Sequence, residues 1–306
     1  MENIKIWAGE IGDYKLLDSG DGKKLEEIGG VKIVRNEPRA WWKPELSKEE
    51  WKTSESFAKN SELFETVIDI GIDGIKAKIK YKKTSKHIGF FPEQVEQWKW
   101  IAKKISNIKF QIPNREINVL NLFGYTGIAS LVAAKAGLSR EASAKWEAKV
   151  THVDASKQSV DWARENQKLS GLEDAPIRWI VDDVVKFIKK EKSRPSFAKA
   201  SAGEGRKYDA IIMDPPSYGK GPKGEVWKIE EQLPELLKSV KEILSDQPLF
   251  IIFNMYSTEL SSISVANLLS EITKDLNGNI EPGELAIKTE GSEKLLPMSI
   301  FALWQK

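Results

Sequence analysis

The sequence contains no cysteine. That excludes disulfides, thiolate metal sites and a cysteine nucleophile. Histidine is nearly as scarce, with only His87 and His152, too few imidazoles for an ordinary zinc site. No apolar run reaches the length of a membrane-spanning helix. The opening MENIKIWAGE carries two acidic residues and no long apolar stretch, unlike a signal peptide. The expectation is a soluble cytoplasmic protein with no metal and no membrane partner. Charge of one sign is also missing: 47 Lys and Arg stand against 45 Asp and Glu, a net of +2. Such a balance neither demands nor excludes a nucleic-acid partner. Finally, no Gly-x-Gly-x-x-Gly run follows a strand pattern, which argues against a dinucleotide-dependent dehydrogenase.

What is present is enough to build on. A hydrophobic share of 41% over 306 residues can fill one large core, or a large and a small one. The 11 tryptophans are expected mainly in cores and domain contacts, with some free to stack on bases. The pattern changes near residue 86, which predicts a strand-rich N-terminal domain over 1–86 and a second domain over 87–306. In the first part DYKLLDSG, GGVKIVRN and SELFETVIDIG alternate between Gly, Asp and Asn breaks. Ser47 and Glu50 form a capping-box pattern. GIKAKIKYKK puts Ile75, Ala77, Ile79 and Tyr81 on one face and Lys76, Lys78, Lys80 and Lys82 on the other. With Lys83 and Lys86 that basic face reads either as a phosphate-contacting ridge or as the solvated side of an edge strand.

From about residue 92 strands and helices alternate. PEQVEQWKWIAKKIS is a predicted helix, INVLNLF a strand, TGIASLVAAKAG a helix, VTHVD a strand and SKQSVDWARENQKLSG a helix. IRWIVDD, YDAIIMD and PLFIIFN continue the strands. VVKFIKKEK, EEQLPELLKSVKEIL with Pro234 inside it, and SISVANLLSEITKD are the helices between and after them. ELAIKTE and MSIFALW are two short closing strands. Repeated β-then-α units predict an α/β protein with a mostly parallel, Rossmann-like sheet covered on both faces. Two helix-to-strand connections, 138–149 and 193–207, are too long for that fold and read as surface insertions on the edge away from any ligand.

Ligands bind such sheets at the carboxyl ends of the strands, so the residues there are the candidates. Asn121-Leu-Phe-Gly-Tyr-Thr-Gly127 follows the first strand and opens a helix whose free N–H groups suit a carboxylate. Asp154 follows the second strand and can accept ribose hydroxyls or cap the next helix. Asp182 and Asp183 follow the third, where an adenine amino group could be bound. Asp214-Pro-Pro-Ser-Tyr218 follows the fourth. Prolines there cannot donate hydrogen bonds and fix the turn, leaving acceptors for a planar amine or heterocycle.

In that order, NLFGYTG, Asp154-Ala155-Ser156, Asp183 and DPPSYG resemble the motifs of class I S-adenosylmethionine-dependent methyltransferases. More narrowly the chain resembles the large-subunit ribosomal RNA methyltransferases of the cytosine carbon-5 and guanine nitrogen-7 type. HIGFFPEQVEQW and the opening DYKLLDSGDGKKLEEIGG are similar to segments of that group. The extra N-terminal RNA-binding domain of some members has no counterpart here. The resemblance implies that Phe123, Gly124, Thr126 and Gly127 surround the methionine end of S-adenosyl-L-methionine. It places Asp154, Ala155 and Ser156 at the ribose, Asp183 at the adenine, and Gln94 over the cofactor. Asp214, Pro215, Pro216 and Tyr218 would line the acceptor site. In the aminomethyltransferases an aromatic residue directly follows the prolines; here Ser217 does and Tyr218 comes one later, which weakens a direct transfer of their adenine or cytosine amino specificity.

Chemistry narrows the acceptor. Carbon 5 of a pyrimidine becomes nucleophilic only through a covalent adduct, normally with a cysteine, and this chain has none. A nitrogen acceptor is favoured, for which Asp214 accepts a hydrogen bond or a proton. The expected activity is methylation of a base nitrogen in RNA, ribosomal RNA first. Methylation of DNA or of a protein amide, or a non-catalytic role in ribosome assembly, stands beside it. The oligomeric state is left open.

Overall fold

The computed structural model describes residues 4–52, 63–82, 87–112, 115–138, 147–193, 206–220, 224–256 and 259–306. The chain begins with strand β1 (Lys5–Trp7), then the three-stranded antiparallel sheet β2 (Tyr14–Gly20), β3 (Lys23–Ile28) and β4 (Val31–Asn36). Two-residue turns join these strands. Asp21 and Gly22 both have positive φ, 49° and 74°, as do Gly29 and Gly30 at 57° and 79°, the geometry that suits the twist of a tight hairpin. Ser47 and Glu50 form the capping box: Glu50 N–H donates to Ser47 Oγ at 3.3 Å, and Ser47 N–H to Glu50 Oε2 at 2.9 Å.

Strands β5 (Leu63–Asp69) and β6 (Lys76–Lys82) form a separate antiparallel pair. The alternation in β6 is realised, with Ile75, Ala77, Ile79 and Tyr81 buried. Two lysines of that face are already paired. Lys78 Nζ lies 2.6 Å from Glu165 and 3.3 Å from Glu65, and Lys80 Nζ lies 3.6 Å from Glu165 and over the Trp162 ring. These two lysines are partly covered and engaged within the protein rather than set out on an open solvated face. Lys83 and Lys86 lie outside the described residues.

A 3₁₀ turn (Pro92–Gln94) then leads into helix α1 (Val95–Gln111). From here β7 (Ile117–Leu122), α2 (Ile128–Ala136), β8 (Ala148–Asp154), α3 (Lys157–Leu169), β9 (Ile177–Val181), α4 (Val184–Ser193) and β10 (Ala210–Met213) alternate. The hairpin β11 (Tyr218–Lys220) and β12 (Val226–Lys228) leads into α5 (Ile229–Glu242). β13 (Phe250–Met255), α6 (Ser262–Thr273), β14 (Asn279–Lys288) and β15 (Leu295–Gln305) finish the chain.

The large sheet has 8 strands in the order β1-β14-β15-β13-β10-β7-β8-β9. β13, β10, β7, β8 and β9 run parallel; β15 is antiparallel to both of its neighbours. The interior strands β10 and β13 are buried at every residue, as strands covered on both faces must be. One apolar core lies on the α1 and α2 side and continues into Leu16, Ile33, Ile68 and Ile79 of the N-terminal strands. The other lies beneath α4, α5 and α6.

Some elements differ from the sequence reading. The closing strands are long, 10 and 11 residues, because Pro282 is accommodated. β1 begins pairing with β14 at Gly283, so at Pro282 the outer side of the strand needs no N–H. β1 itself, in the N-terminal segment, completes the edge of the large sheet. Of the expected insertions at 138–149 and 193–207, residues 139–146, with Trp146, and 194–205 lie outside the described residues, while Ala148 and Lys149 already belong to β8. Their described flanks Glu147 and Arg206 precede the amino ends of β8 and β10, the edge opposite the strand ends that carry the motifs.

Candidate active site

The motif residues meet at the carboxyl ends of β7, β8, β9 and β10, where a cleft of about 920 Å³ opens. Phe123, Asp154, Ala155, Ser156, Asp183, Asp214, Pro215, Pro216 and Tyr218 all line it. The loop after β7 is a sharp reversal: Phe123 and Tyr125 both have positive φ, 57° and 51°, on either side of Gly124. Non-glycine residues hold that conformation only where the surroundings enforce it. Here Tyr125 N–H donates to Asp154 Oδ2 at 2.9 Å, and Thr126 Oγ1 donates to the Gly89 carbonyl at 2.6 Å. Phe123 packs its ring 5.3 Å from Trp227.

Gly124, Thr126 and Gly127 are not part of the cleft wall. A Cβ on Gly124 would meet the His152 ring at 2.4 Å, and one on Gly127 would meet Ala163 at 2.8 Å. These glycines permit close packing of the loop on the core behind it. Thr126 is buried and holds the loop to the segment before α1.

Asp154 is not the cap of α3. That position is Ser156, whose Oγ accepts Ser159 N–H at 3.1 Å. Asp154 accepts Tyr125 N–H and, at 2.8 Å, Ser156 N–H. Burial raises its carboxyl above the usual range, against both of those hydrogen bonds. Asp183 accepts Lys186 N–H at 2.9 Å and so caps α4 at the cleft edge. Asp182 instead pairs with Lys190 at 2.5 Å.

Asp214 forms the floor at the other end. Burial pushes its carboxyl up to about 7; the Gln94 hydrogen bond opposes this and the charge of Glu93 adds to it. Gln94 does not line the cleft. Its Nε2 donates to Asp214 Oδ2 at 2.7 Å and to Tyr256 Oη at 3.0 Å. Phe91 stacks between Tyr125 and Tyr256 with both ring centroids 5.4 Å away, so the 87–94 segment covers this end with aromatic rings.

Sequence reasoning missed one wall. Lys24, Arg35, Glu37 and Arg39, from β3, β4 and the loop beyond, also line the cleft, and Glu93 and Tyr256 line it near Asp214. Behind them Glu26 is fully buried. Burial pushes its carboxyl up, but Arg35, then Lys24, overcome that and bring it down to about 2. Arg35 contacts it through Nε at 2.6 Å and Nη2 at 2.7 Å. Arg39 holds Glu37 at 2.7 Å and donates to the Met298 carbonyl, tying the N-terminal strands to β15. Among the described residues no group of three or more His, Asp or Glu side chains converges as a metal site, and no helix is long and apolar enough to cross a membrane.

Known proteins with this architecture identify the class. The solved structure of an S-adenosylmethionine-dependent methyltransferase from Agrobacterium tumefaciens is 35% identical to this chain. The two superpose over 100% of this chain and 94% of that one, with a TM-score of 0.83. The chain therefore belongs to the S-adenosylmethionine-dependent methyltransferases, and S-adenosylmethionine is its cofactor. A structure from Streptococcus mutans, at 16% identity and a TM-score of 0.64, shares the fold over 97% of this chain and 76% of its own. No protein-family model matches.

Sequence relatives are partial. Ribosomal RNA large subunit methyltransferase K of Neisseria meningitidis serogroup B is 29% identical over 173 residues, 55% of this chain and 42% of that protein. Ribosomal RNA large subunit methyltransferase I of Klebsiella pneumoniae is 34% identical over 100 residues, 33% of this chain and 20% of its own length. The matched segment thus spans less than half of these curated relatives.

The cleft suits the cofactor. It is long enough to run from Asp183 to Asp214, and its lining combines carboxylates with aromatic rings.

Proposed function

We propose that this enzyme methylates a nitrogen of a base in RNA, with ribosomal RNA as the substrate class. The observation that carries the reading is Asp214, held at about 7 at the end of the cleft between Pro215 and the Gln94 amide. A carboxyl so poised accepts the proton that an amine or ring nitrogen loses on alkylation. The partial relatives named as ribosomal RNA methyltransferases support the substrate class. The absence of cysteine supports nitrogen over carbon 5.

In this reading Asp154 binds the ribose hydroxyls, with Ala155 and Ser156 beside it, and Asp183 lies at the adenine. Phe123 covers the methionine end, while Gly124, Thr126 and Gly127 act from behind by shaping the loop. Gln94 positions Asp214. When bound, the cofactor supplies an electrophilic methyl group on a sulfonium. The protein then needs chiefly to align and desolvate the acceptor, and the rings of Phe91, Tyr256 and Tyr218 provide flat surfaces for that. The N-terminal unit, residues 1–86, supplies the facing wall of the acceptor end.

The test is labelling of total RNA, DNA and protein from a strain lacking the gene, with purified enzyme and tritiated S-adenosylmethionine. Label in RNA is expected. Label only in DNA or protein would replace the substrate class, and no label with intact cofactor binding would favour a non-catalytic role.

A further inference from the structure

Trp41 is 88% exposed, whereas every other described tryptophan is buried or half-buried. Among the described residues its indole has no hydrogen-bond, ring or cation partner. Its neighbour behaves oppositely: Trp42 packs on the core, and its Nε1 donates to Ser19 Oγ at 3.2 Å. The backbone that carries Trp41 is fixed. Asp21 N–H donates to the Trp42 carbonyl at 2.8 Å, Gly22 N–H to the Ala40 carbonyl at 2.9 Å, and Trp41 N–H to the Arg39 carbonyl at 3.0 Å. A Cβ on Gly20 would meet the Pro44 backbone at 2.4 Å, so this loop lies tightly on the β2–β3 hairpin. The same loop is cleft wall a little earlier, through Asn36, Glu37, Pro38 and Arg39. Two residues of chain keep the Trp41 Cα within about 7 Å of that of Arg39. Arg39 is balanced by Glu37. Lys43, two residues beyond Trp41, is exposed and has no ion-pair partner among the described residues.

A lone exposed apolar side chain is ordinary. Trp41 differs in its ordered mount, its place beside the cleft wall and the free cation next to it. A flat indole on a fixed loop loses little freedom when a base lies on its face, and a nearby cation suits the phosphates that come with the base. We propose, resting on the RNA reading above, that Trp41 is a stacking platform for an unpaired nucleotide adjacent to the acceptor. The acceptor base enters the cleft, and its neighbour on the strand lies on the indole outside it. In a duplex each base already lies between its own neighbours and has no free face to offer. The platform therefore selects a loop, bulge or single-stranded segment over a helix. Every base has a π-face, so Trp41 reads the state of the strand and not its sequence.

Two measurements test this on the full chain. The first is methyl transfer to large-subunit ribosomal RNA from a strain lacking the gene. Trp41→Ala should raise KM for RNA about 10-fold, the scale of one lost base–aromatic stack, with kcat nearly kept. The melting temperature and S-adenosylmethionine affinity should match wild type, because the side chain is exposed. An unchanged KM overturns the inference and leaves the RNA reading standing, whereas RNA left unlabelled by the wild-type enzyme sinks that reading itself. The second is fluorescence anisotropy with labelled oligouridine, alone and annealed to oligoadenosine. Wild type should prefer the single strand. Trp41→Ala should weaken single-strand binding about 10-fold and duplex binding by less than about twofold. Trp41→Leu, apolar but without a π-face, should lose as much as Trp41→Ala. Full binding by Trp41→Leu, no preference for the single strand, or an equal loss on the duplex overturns the inference. So does a wild-type dimer, seen by sedimentation, that Trp41→Ala dissociates, since the indole then belongs to a contact with a second copy.

Discussion

Gln94 and Asp214 are 120 residues apart in the chain, and the Gln94 amide donates to Asp214 Oδ2 at 2.7 Å. The bond joins the segment before α1 to the turn after β10. It also stabilises the ionised carboxylate against burial. Gln94→Ala should therefore move the Asp214 titration upward from about 7. Carbon-13 NMR of the aspartate carboxyl groups reads this directly. An unchanged midpoint would mean that the bond does not set the charge of Asp214.

Asp214 also carries a stability signature. Its folded carboxyl titrates near 7, above that of an unfolded aspartate. Between roughly pH 4 and 7 the folded state binds more protons than the unfolded state, so its share of stability is lost as pH rises through that window. Asp214→Asn escapes the loss. Thermal melts should show the variant gaining on wild type from pH 5 to pH 8 while methyl transfer is abolished. A gap independent of pH would contradict the assignment.

Asp154 and Ser156 separate binding from folding. Asp154→Ala should weaken S-adenosylmethionine binding by about 1–3 kcal/mol, the scale of a lost charge-assisted hydrogen bond. Ser156→Ala removes the α3 cap and should cost about 1 kcal/mol of stability, with a smaller change in affinity. Calorimetry and melting of both variants decide; equal affinities for wild type and Asp154→Ala would leave Asp154 as a loop tie.

The buried Glu26 anchors the N-terminal wall. Glu26→Gln removes the buried carboxylate that Arg35 and Lys24 share and should cost about 3–5 kcal/mol in urea unfolding. The sign follows from its lowered titration: the contribution is present above the ordinary carboxylate range and is lost only as pH falls towards about 2. The difference should therefore hold steady from pH 5 to 8.

Much of this was legible in the sequence. The parallel strands announce themselves as short apolar-rich runs between helix patterns, and Phe123, Asp154, Asp183 and Asp214 each follow one of them, so most of the cleft could be assembled from strand ends. The three-residue strands β1, β11 and β12 carry no periodicity of their own and are defined by partners far away. β3 reads KKLEEI, a polar run, yet Lys24 and Glu26 are buried. Their burial is permitted by Arg35 and Glu37 on another segment, which no local pattern can show. For the same reason the burial of Glu93, read at the start of a predicted helix, has no local signal. The glycines of the β7 loop were visible, but what their missing side chains make room for is not written locally: the His152 ring packs behind Gly124 and Ala163 behind Gly127.

The most direct test of the central claim is in vitro methylation of large-subunit ribosomal RNA from a strain lacking the gene, followed by nucleoside mass spectrometry. A single new base methylated on nitrogen, absent with Asp214→Asn, is the predicted result. 5-Methylcytosine, or no RNA methylation by an enzyme that binds S-adenosylmethionine, would contradict the account.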